Sequence, residues 1–199
     1  MRLHSYKMAR DFGFAPNPFH GVCTLATCKP QIRASAKVGD IVLGCGSASN
    51  KLAGRMIFAM KVEGKISFQE YWDHPLFQKK KPSMYGSRAR SYGDNIYRRE
   101  NSCWLQADSH HSFENGVLNL DNLERDTGSD NVIWGTDFIY WGSEAPTIPA
   151  RFRNFDGDDI YPNGRGHRSR FADPLVVAFD DWFSGQNARG RIGRPAAWD

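Results

Sequence analysis

The sequence lacks any apolar run that approaches the roughly 20 residues required by a membrane-spanning helix. It also lacks an apolar N-terminal stretch of the kind that directs secretion. These two absences predict a soluble, cytoplasmic protein that has no membrane partner.

Cysteine is scarce as well, with four residues in a chain of 199 and no Cys-x-x-Cys pair. Small secreted scaffolds have a higher cysteine density, so the count favours a reducing compartment. His20, Cys23 and Cys28 lie close together, but they supply only three local ligands and no paired set follows. We therefore predict neither a metal site nor a cofactor.

Charge of one sign is not in large excess, because 26 Lys and Arg residues face 22 Asp and Glu residues. The basic residues are nevertheless clustered in Gly- and Ser-rich segments, which fits either a phosphate-bearing partner or a solvated loop. The members of the clusters are Lys79, Lys80, Lys81, Arg88, Arg90, Arg98, Arg99, Arg165, Arg168 and Arg170. A hydrophobic content of 40% predicts one globular domain over residues 1–199.

The clearest structural signal is a pair of apolar runs, residues 38–44 and 54–62, joined by a polar loop. This pattern predicts a β-hairpin, and apolar residues on both faces suggest a small barrel. Ser67 and Glu70 form a capping-box pattern, so a short helix should begin there and end before Pro75.

The remaining pattern is weaker. Residues 78–95 and 142–173 show little periodicity and predict long loops, while the apolar run 175–179 fits either a strand or a helix. If His110 and His111 lie in a strand, their side chains face opposite sides of it, so at most one of them can face a given pocket. Further strands are predicted at 3–9, 101–106, 116–119, 131–134 and 137–141, the last two linked by Gly135 and Thr136.

Three residues are candidates for catalysis. Cys28 lies beside Lys29 and Arg33, a cationic setting that favours a nucleophilic thiolate, although a buried structural thiol is the alternative. His111 could act as a general base, and Asp94 as an acid or base, each against the alternative of an ordinary polar loop.

The segment from Gly93 to Tyr97 has side chains suited to reading a base. Asp94 and Asn95 could bind base edges, and Tyr92 or Tyr97 could stack on the ring, although Gly-Asp-Asn is also ordinary turn chemistry. A polar cluster at 163–168 could close the same pocket.

Gly44 and Gly46 invite comparison with a phosphate-binding loop. Ser49 replaces the third glycine of a dinucleotide fingerprint, and a strand follows where that fingerprint needs a helix. The loop containing Ser47 is thus either a main-chain anion nest or a hairpin loop.

Six stretches resemble a bacterial and phage family called nucleotide modification associated domain 2, and the resemblance covers nearly the whole chain. It implies a setting in DNA-base modification or antiphage defence, with no particular reaction. The stretches are 14–19, 23–30, 38–47, 54–60, 70–72 and 93–97.

The segment 37–43, followed by a strand that opens with Gly54 and Arg55, also resembles the central strands of PUA-like domains, including the EVE and ASCH groups. That resemblance implies a small β-barrel with a base-binding pocket. Here a polar set of Ser, Asp and Asn takes the place of the aromatic cage often seen in those groups.

Together these observations predict an α+β fold: a mixed, partly closed PUA-like β-barrel with short flanking helices and long loops. One nucleotide-sized pocket is expected, with nucleic acid, DNA in preference to RNA, as partner. Its predicted ligand-binding residues are Asn17, Lys29, Arg33 and Ser47 for phosphate or ribose, and Asp94, Asn95 and Tyr97 for the base.

Three function classes stay open. The first is a recognition module for a nucleotide or modified base, and the second is an enzyme that acts on one. The third is a protein-interaction subunit, which would have an exposed apolar patch in place of a pocket.

Overall fold

The computed structural model describes residues 1–164 and 166–198. Arg165, one of the clustered basic residues, therefore lies outside the described residues. The chain divides into two compact units, each built from separate segments. Unit 1 comprises Met1–Phe12, Ala36–Glu63 and Gly135–Asp199, and unit 2 comprises Gly13–Ser35 and Gly64–Trp134. One domain spanning 1–199 stays a prediction.

The strands and helices are short. The strands are β1 (Leu3–Lys7), β2 (Cys23–Leu25), β3 (Ile41–Cys45), β4 (Met56–Lys61), β5 (Gly64–Ile66), β6 (Tyr97–Glu100), β7 (Cys103–Gln106), β8 (Val132–Gly135), β9 (Phe138–Tyr140), β10 (His167–Arg168) and β11 (Gly190–Arg191). The α-helices are α1 (Pro30–Ser35), α2 (Phe68–Asp73), α3 (Arg88–Ser91), α4 (Leu120–Thr127) and α5 (Asp173–Ser184). No helix in the described part of the chain is long and apolar enough to span a membrane.

Unit 1 is built on a mixed sheet with the strand order β10-β1-β3-β4-β9-β11. The predicted hairpin is confirmed, since β3 and β4 pair antiparallel, and β1 lies parallel to β3 on its other side. The apolar run 175–179 forms part of α5, whose Leu175, Phe179 and Phe183 join Leu43 and Ala59 in one buried cluster. A helix therefore covers this face of the hairpin strands.

The barrel part of the fold prediction is not confirmed, because the described residues contain no closed barrel. The apolar character of β3 and β4 is explained by central positions in an open sheet, where both faces are buried. The coarser prediction of a mixed α+β fold is confirmed.

Unit 2 contains a three-stranded sheet, β2-β8-β5, and the two-stranded sheet β6-β7. Its helix α2 begins as predicted: the Ser67 hydroxyl accepts a hydrogen bond from the Glu70 main-chain N–H (3.2 Å), and the Glu70 carboxylate accepts one from the Ser67 N–H (2.7 Å). The helix ends at Asp73, before Pro75.

One local prediction is wrong. Residues 116–119 form no strand; a 3-10 turn (Glu114–Gly116) precedes extended chain that ends at Asn119, the N-cap of α4. The predicted strands β8 and β9 exist, and β8 pairs with β5 whereas β9 pairs with β4. His110 and His111 lie in a turn, which agrees with the polar-loop alternative for this segment.

Candidate active site

The segment 93–95 packs tightly inside unit 2 and forms no exposed turn. A Cβ atom on Gly93 would lie 2.3 Å from the main-chain oxygen of Lys80, so only glycine permits this approach. Asp94 is fully buried and accepts hydrogen bonds from the Thr24 hydroxyl and the Tyr71 hydroxyl, each at 2.7 Å. Burial raises the pKa of Asp94, while Lys80 and these hydrogen bonds oppose the rise.

Lys80 is the cation of the same buried network. Its Nζ donates to the main-chain oxygens of Asn17 (2.8 Å) and Val22 (2.7 Å) and to Asn17 Oδ1 (2.7 Å). Burial lowers the pKa of Lys80 to about 8 against the attraction of Asp94 and Cys23. Three acceptors at this distance account for a buried lysine.

The two asparagines proposed as ligand contacts are also buried. Asn17 Nδ2 donates to the Tyr92 oxygen (2.9 Å), and Asn95 Nδ2 donates to the Tyr71 oxygen (2.8 Å). Among the described residues, the Oδ1 atom of Asn95 has no hydrogen-bond partner. Binding of a ligand by Asn17 or Asp94 would require an exchange of existing partners, so these roles stay predictions.

Arg33 is a fully buried side chain whose donors all face main-chain oxygens. Its Nε donates to Cys28 (2.8 Å), one terminal nitrogen donates to Ser129 (2.8 Å) and Asn131, and the other donates to Asp126. Burial lowers its pKa to about 10, with Asp126 opposing the change. The guanidinium thus ties α1 to the segment that follows α4.

Ser47 lies in unit 1, whereas the other six predicted ligand residues lie in unit 2. Its Oγ is 2.7 Å from Ser49 Oγ, and its N–H donates to Asn50 Oδ1 (2.9 Å) at the start of a 3-10 turn. The loop is a compact hairpin connection, and a ligand role for Ser47 stays a prediction.

Asp126 is the centre of a second buried network in unit 2. It lies on the inward face of α4 together with Leu123 and is fully buried. One carboxylate oxygen accepts from the Cys28 main-chain N–H (2.8 Å). The other lies 2.9 Å from the Tyr97 hydroxyl and 2.7 Å from His111 Nδ1. Burial opposes ionisation of Asp126, but the hydrogen bond from His111 and its charge dominate the balance, so its pKa is lowered.

His111 links this carboxylate to a thiol. Its Nδ1 lies against Asp126, and the ring is also hydrogen-bonded to the Cys28 side chain. Burial lowers the pKa of His111, but hydrogen bonds with Asp126 and Cys28 outweigh it and raise the value to about 9. The imidazole is therefore protonated at neutral pH.

Cys28 is partly exposed and has an unusual backbone conformation. Its φ of 56° and the φ of 42° at Lys29 are left-handed, which non-glycine residues rarely adopt. Strain of this kind collects at functional sites. The conformation directs the chain into α1, where Pro30 opens the helix. In many acyl-transfer sites, the main-chain N–H of the nucleophilic residue binds the oxyanion. The main-chain N–H of Cys28 instead donates to Asp126.

Aromatic side chains adjoin the thiol–imidazole pair. The Phe14 ring lies 4.5 Å from that of His111 and 5.3 Å from that of His110, measured between centroids. Tyr92 packs edge-on against His110 at 5.0 Å. Lys29 is electrostatically coupled to Cys28, although burial lowers its pKa. The imidazole of His111 is thus next to flat rings, and the thiol is coupled to a cation.

The structure brings together two of the three predicted catalytic residues, Cys28 and His111, and places Asp94 in the other network. Sequence reasoning missed Asp126. The available signal was an acidic residue three positions after Leu123 on the apolar face of an amphipathic helix, where a carboxylate needs a partner. Among the described residues, no group of three or more His, Cys, Asp and Glu side chains could hold a metal ion.

The sequence model of the family described as nucleotide modification associated domain 2 matches residues 1–199. The chain belongs to this family. No curated protein and no solved structure matches it. The description of the family points to an involvement in nucleotide modification. The resemblance to this family that the six sequence stretches indicated is confirmed.

The raised pKa of His111 makes the stability of this nucleotide modification associated domain depend on pH. The ion pair with Asp126 contributes fully below the ordinary histidine pKa of 6.5, declines as pH rises, and is lost above about 9. We expect the difference in free energy of unfolding between wild type and His111→Gln to shrink by about 3 kcal/mol between about pH 6 and about pH 10. Urea denaturation at several pH values checks this, and a pH-independent difference would contradict it.

Proposed function

We propose that unit 2 is a cysteine-dependent catalyst that acts on a nucleotide or a modified base. The observation that carries the proposal is the chain of contacts from the Cys28 thiol through His111 to the buried carboxylate of Asp126. A nucleophile, a base and a residue that orients the base define covalent catalysis by side chains, whatever the fold. Membership of a nucleotide modification family supports a nucleotide as the substrate.

Each residue has a role that follows from its position. His111 is hydrogen-bonded to the Cys28 side chain, so the nucleophile and its proton donor are adjacent. Cys28 Sγ would form a bond to an electrophilic carbon of the substrate, and His111 would transfer its proton to the atom that receives the displaced electron pair. Asp126 would hold the imidazole in the tautomer that faces the thiol.

The surroundings of the thiol suit a base as substrate. The partly exposed Tyr92 ring and the exposed His110 ring offer surfaces of the kind on which bases stack, and the buried Phe14 packs behind the histidines. The Cys28 N–H is already bound by Asp126, so it is not free to stabilise an acyl oxyanion. Attack on a carbon of the base or of its substituent therefore fits this site better than acyl transfer.

Recognition without catalysis is the second candidate function, and the same aromatic rings favour it. The two functions differ in what His111→Ala does. A recognition module would keep its nucleotide affinity and show no turnover with or without the substitution. An enzyme would keep affinity and lose turnover. Mass spectrometry of co-purified nucleotides, followed by thermal shifts with canonical and modified nucleotides, supplies the ligand for this comparison.

The four cysteines allow a test of the nucleophile that needs no substrate. We expect iodoacetamide at about pH 7 to modify Cys28 about tenfold faster than the exposed Cys103. Cys23 and Cys45 should not react in the folded protein, because both are buried and burial raises the pKa of each to about 12. Peptide mass spectrometry of a time course gives the four rates.

The control for this experiment is Cys103→Ser, which removes the exposed thiol outside the site and should leave the rate at Cys28 unchanged. If Cys103 in the wild type reacted faster than Cys28, the proposed activation by His111 would be wrong.

A further inference from the structure

We propose that unit 2 binds a single-stranded polynucleotide across a basic–aromatic surface formed by Trp72, Lys81, Arg98, Arg99 and Trp104. This inference rests on the proposed function and extends it: the base on which Cys28 acts would belong to a polymer and not to a free nucleotide.

Cations cover both tryptophans of the basic–aromatic surface. Lys81 Nζ lies 4.0 Å from the ring centroid of Trp72, and the Arg98 guanidinium carbon lies 5.4 Å from it. The guanidinium carbon of Arg99 lies 4.3 Å from the ring centroid of Trp104. Each tryptophan ring thus has at least one positive charge beside it, a combination that can stack bases and bind phosphates together. Arg98 and Arg99 are neighbours in β6 and point to opposite sides of it, so the Trp72 group and the Trp104 group flank this strand.

The charge balance of the surrounding chain favours an anionic partner. Residues 79–99 contain seven Lys and Arg residues and one acidic residue, Asp94. Asp94 and Lys80 are buried together, which leaves six cations outside that network. Acidic side chains also face this surface: Asp130 lies 3.3 Å from Arg99, Glu100 lies 3.3 Å from Arg98, and Asp73 attracts Lys81. Pairs as exposed as these hold their partners weakly, so phosphates can replace the carboxylates.

Strand register connects the basic–aromatic surface to the candidate active site. In the antiparallel pair β6-β7, Arg99 lies opposite Trp104, and Tyr97 lies opposite Gln106. The two pairs share one face of the ribbon and are two residues apart, which is about 7 Å along a strand. Tyr97 and Gln106 belong to the Asp126–His111 network. A strand bound at Trp104 would therefore reach towards Cys28.

A single strand fits these features better than a duplex. In a duplex the base faces are stacked on one another and only edges and phosphates are accessible, whereas a single strand exposes faces that Trp and Arg side chains can stack against. Free nucleotides would use one ring and leave the second Trp–Arg pair without a partner.

Fluorescence anisotropy with a labelled single-stranded deoxyoligonucleotide of about 15 nucleotides tests the proposal. Wild type is expected to bind with an affinity that falls as salt rises. Lys81→Gln and Arg99→Gln should each weaken binding by about threefold to tenfold and reduce the salt slope by about 0.7. Trp104→Ala should weaken binding by about tenfold with less change in the slope.

Unit 1 supplies matched control variants. Lys7 Nζ lies 4.5 Å from the ring centroid of Tyr161, and the Arg189 guanidinium carbon lies 5.0 Å from that of Phe183, with an ion pair to Asp137. Lys7→Gln and Arg189→Gln remove the same charges from similar settings and should not change affinity. Equal weakening by these controls, or no binding by wild type, would overturn the proposal.

RNA and duplex arms identify the polymer. Tight binding of the matching RNA, the DNA or both supports the proposal, while equal or tighter binding of duplex DNA contradicts it. The assay needs no reaction at Cys28, so the two proposals fail separately: binding without turnover contradicts the proposed catalysis alone. Turnover of free nucleotides without oligonucleotide binding contradicts the polymer substrate alone.

Discussion

Replacement of Arg33 by methionine is expected to lower the free energy of unfolding by about 4 kcal/mol or more. The substitution keeps most of the side-chain volume but removes the Arg33 donors from four main-chain oxygens, in the buried hydrogen bonds to Asp126 and Ser129 and the partly buried ones to Cys28 and Asn131. Each buried acceptor left without a partner costs about 1–3 kcal/mol. Urea denaturation followed by far-UV circular dichroism measures the loss, which is a large part of a typical domain's stability.

Arg88→Met is the matched control for this prediction. Arg88 lies on α3 and is exposed, so its substitution should change stability by less than about 0.5 kcal/mol. Arg33→Lys should also destabilise the protein, because an ammonium group lacks the planar fork of donors. If Arg33→Met left stability unchanged and abolished nucleotide affinity, Arg33 would be the phosphate ligand predicted from the sequence.

The contrast between Arg33 and the hairpin shows what the sequence could predict. The hairpin and the helix that begins at Ser67 depend on contacts between residues close in the chain, so local sequence patterns predict both. The partners of Arg33 include Asp126, Ser129 and Asn131, which are 93 to 98 residues away. No local sequence pattern indicates such distant contacts. The sequence therefore predicted Arg33 as a contact for phosphate or ribose, although its side chain is buried.

The same limit explains the outcome for the candidate site. Residue chemistry identified Cys28 and His111 separately, but their proximity depends on how α1, α4 and the turn before α4 pack. The turn-like composition around Asp94 indicated exposure, whereas the absence of a Cβ atom at Gly93 serves close packing against Lys80. A sequence shows which chemistry a side chain offers but not whether solvent reaches it.

Asp126→Asn is expected to lower turnover of a nucleotide substrate by about a thousandfold or more and alkylation of Cys28 at about pH 7 by about tenfold. The amide can still accept from the Cys28 N–H, so the fold of the loop is retained. It cannot hold a protonated imidazole, however, because a neutral amide that donates to His111 Nδ1 forces the proton onto Nε2. The thiol then loses its cationic neighbour.

Asp94→Asn separates this effect from a general loss of stability. It also replaces a buried carboxylate with an amide, in the Lys80 network, and should lower stability without changing the alkylation rate of Cys28. The pH profile gives a further criterion. In wild type the ratio of the Cys28 alkylation rate to the Cys103 alkylation rate should decrease as His111 loses its proton near pH 9, and Asp126→Asn should lack that step. A shared response of both variants would mean that Asp126 supports the fold alone.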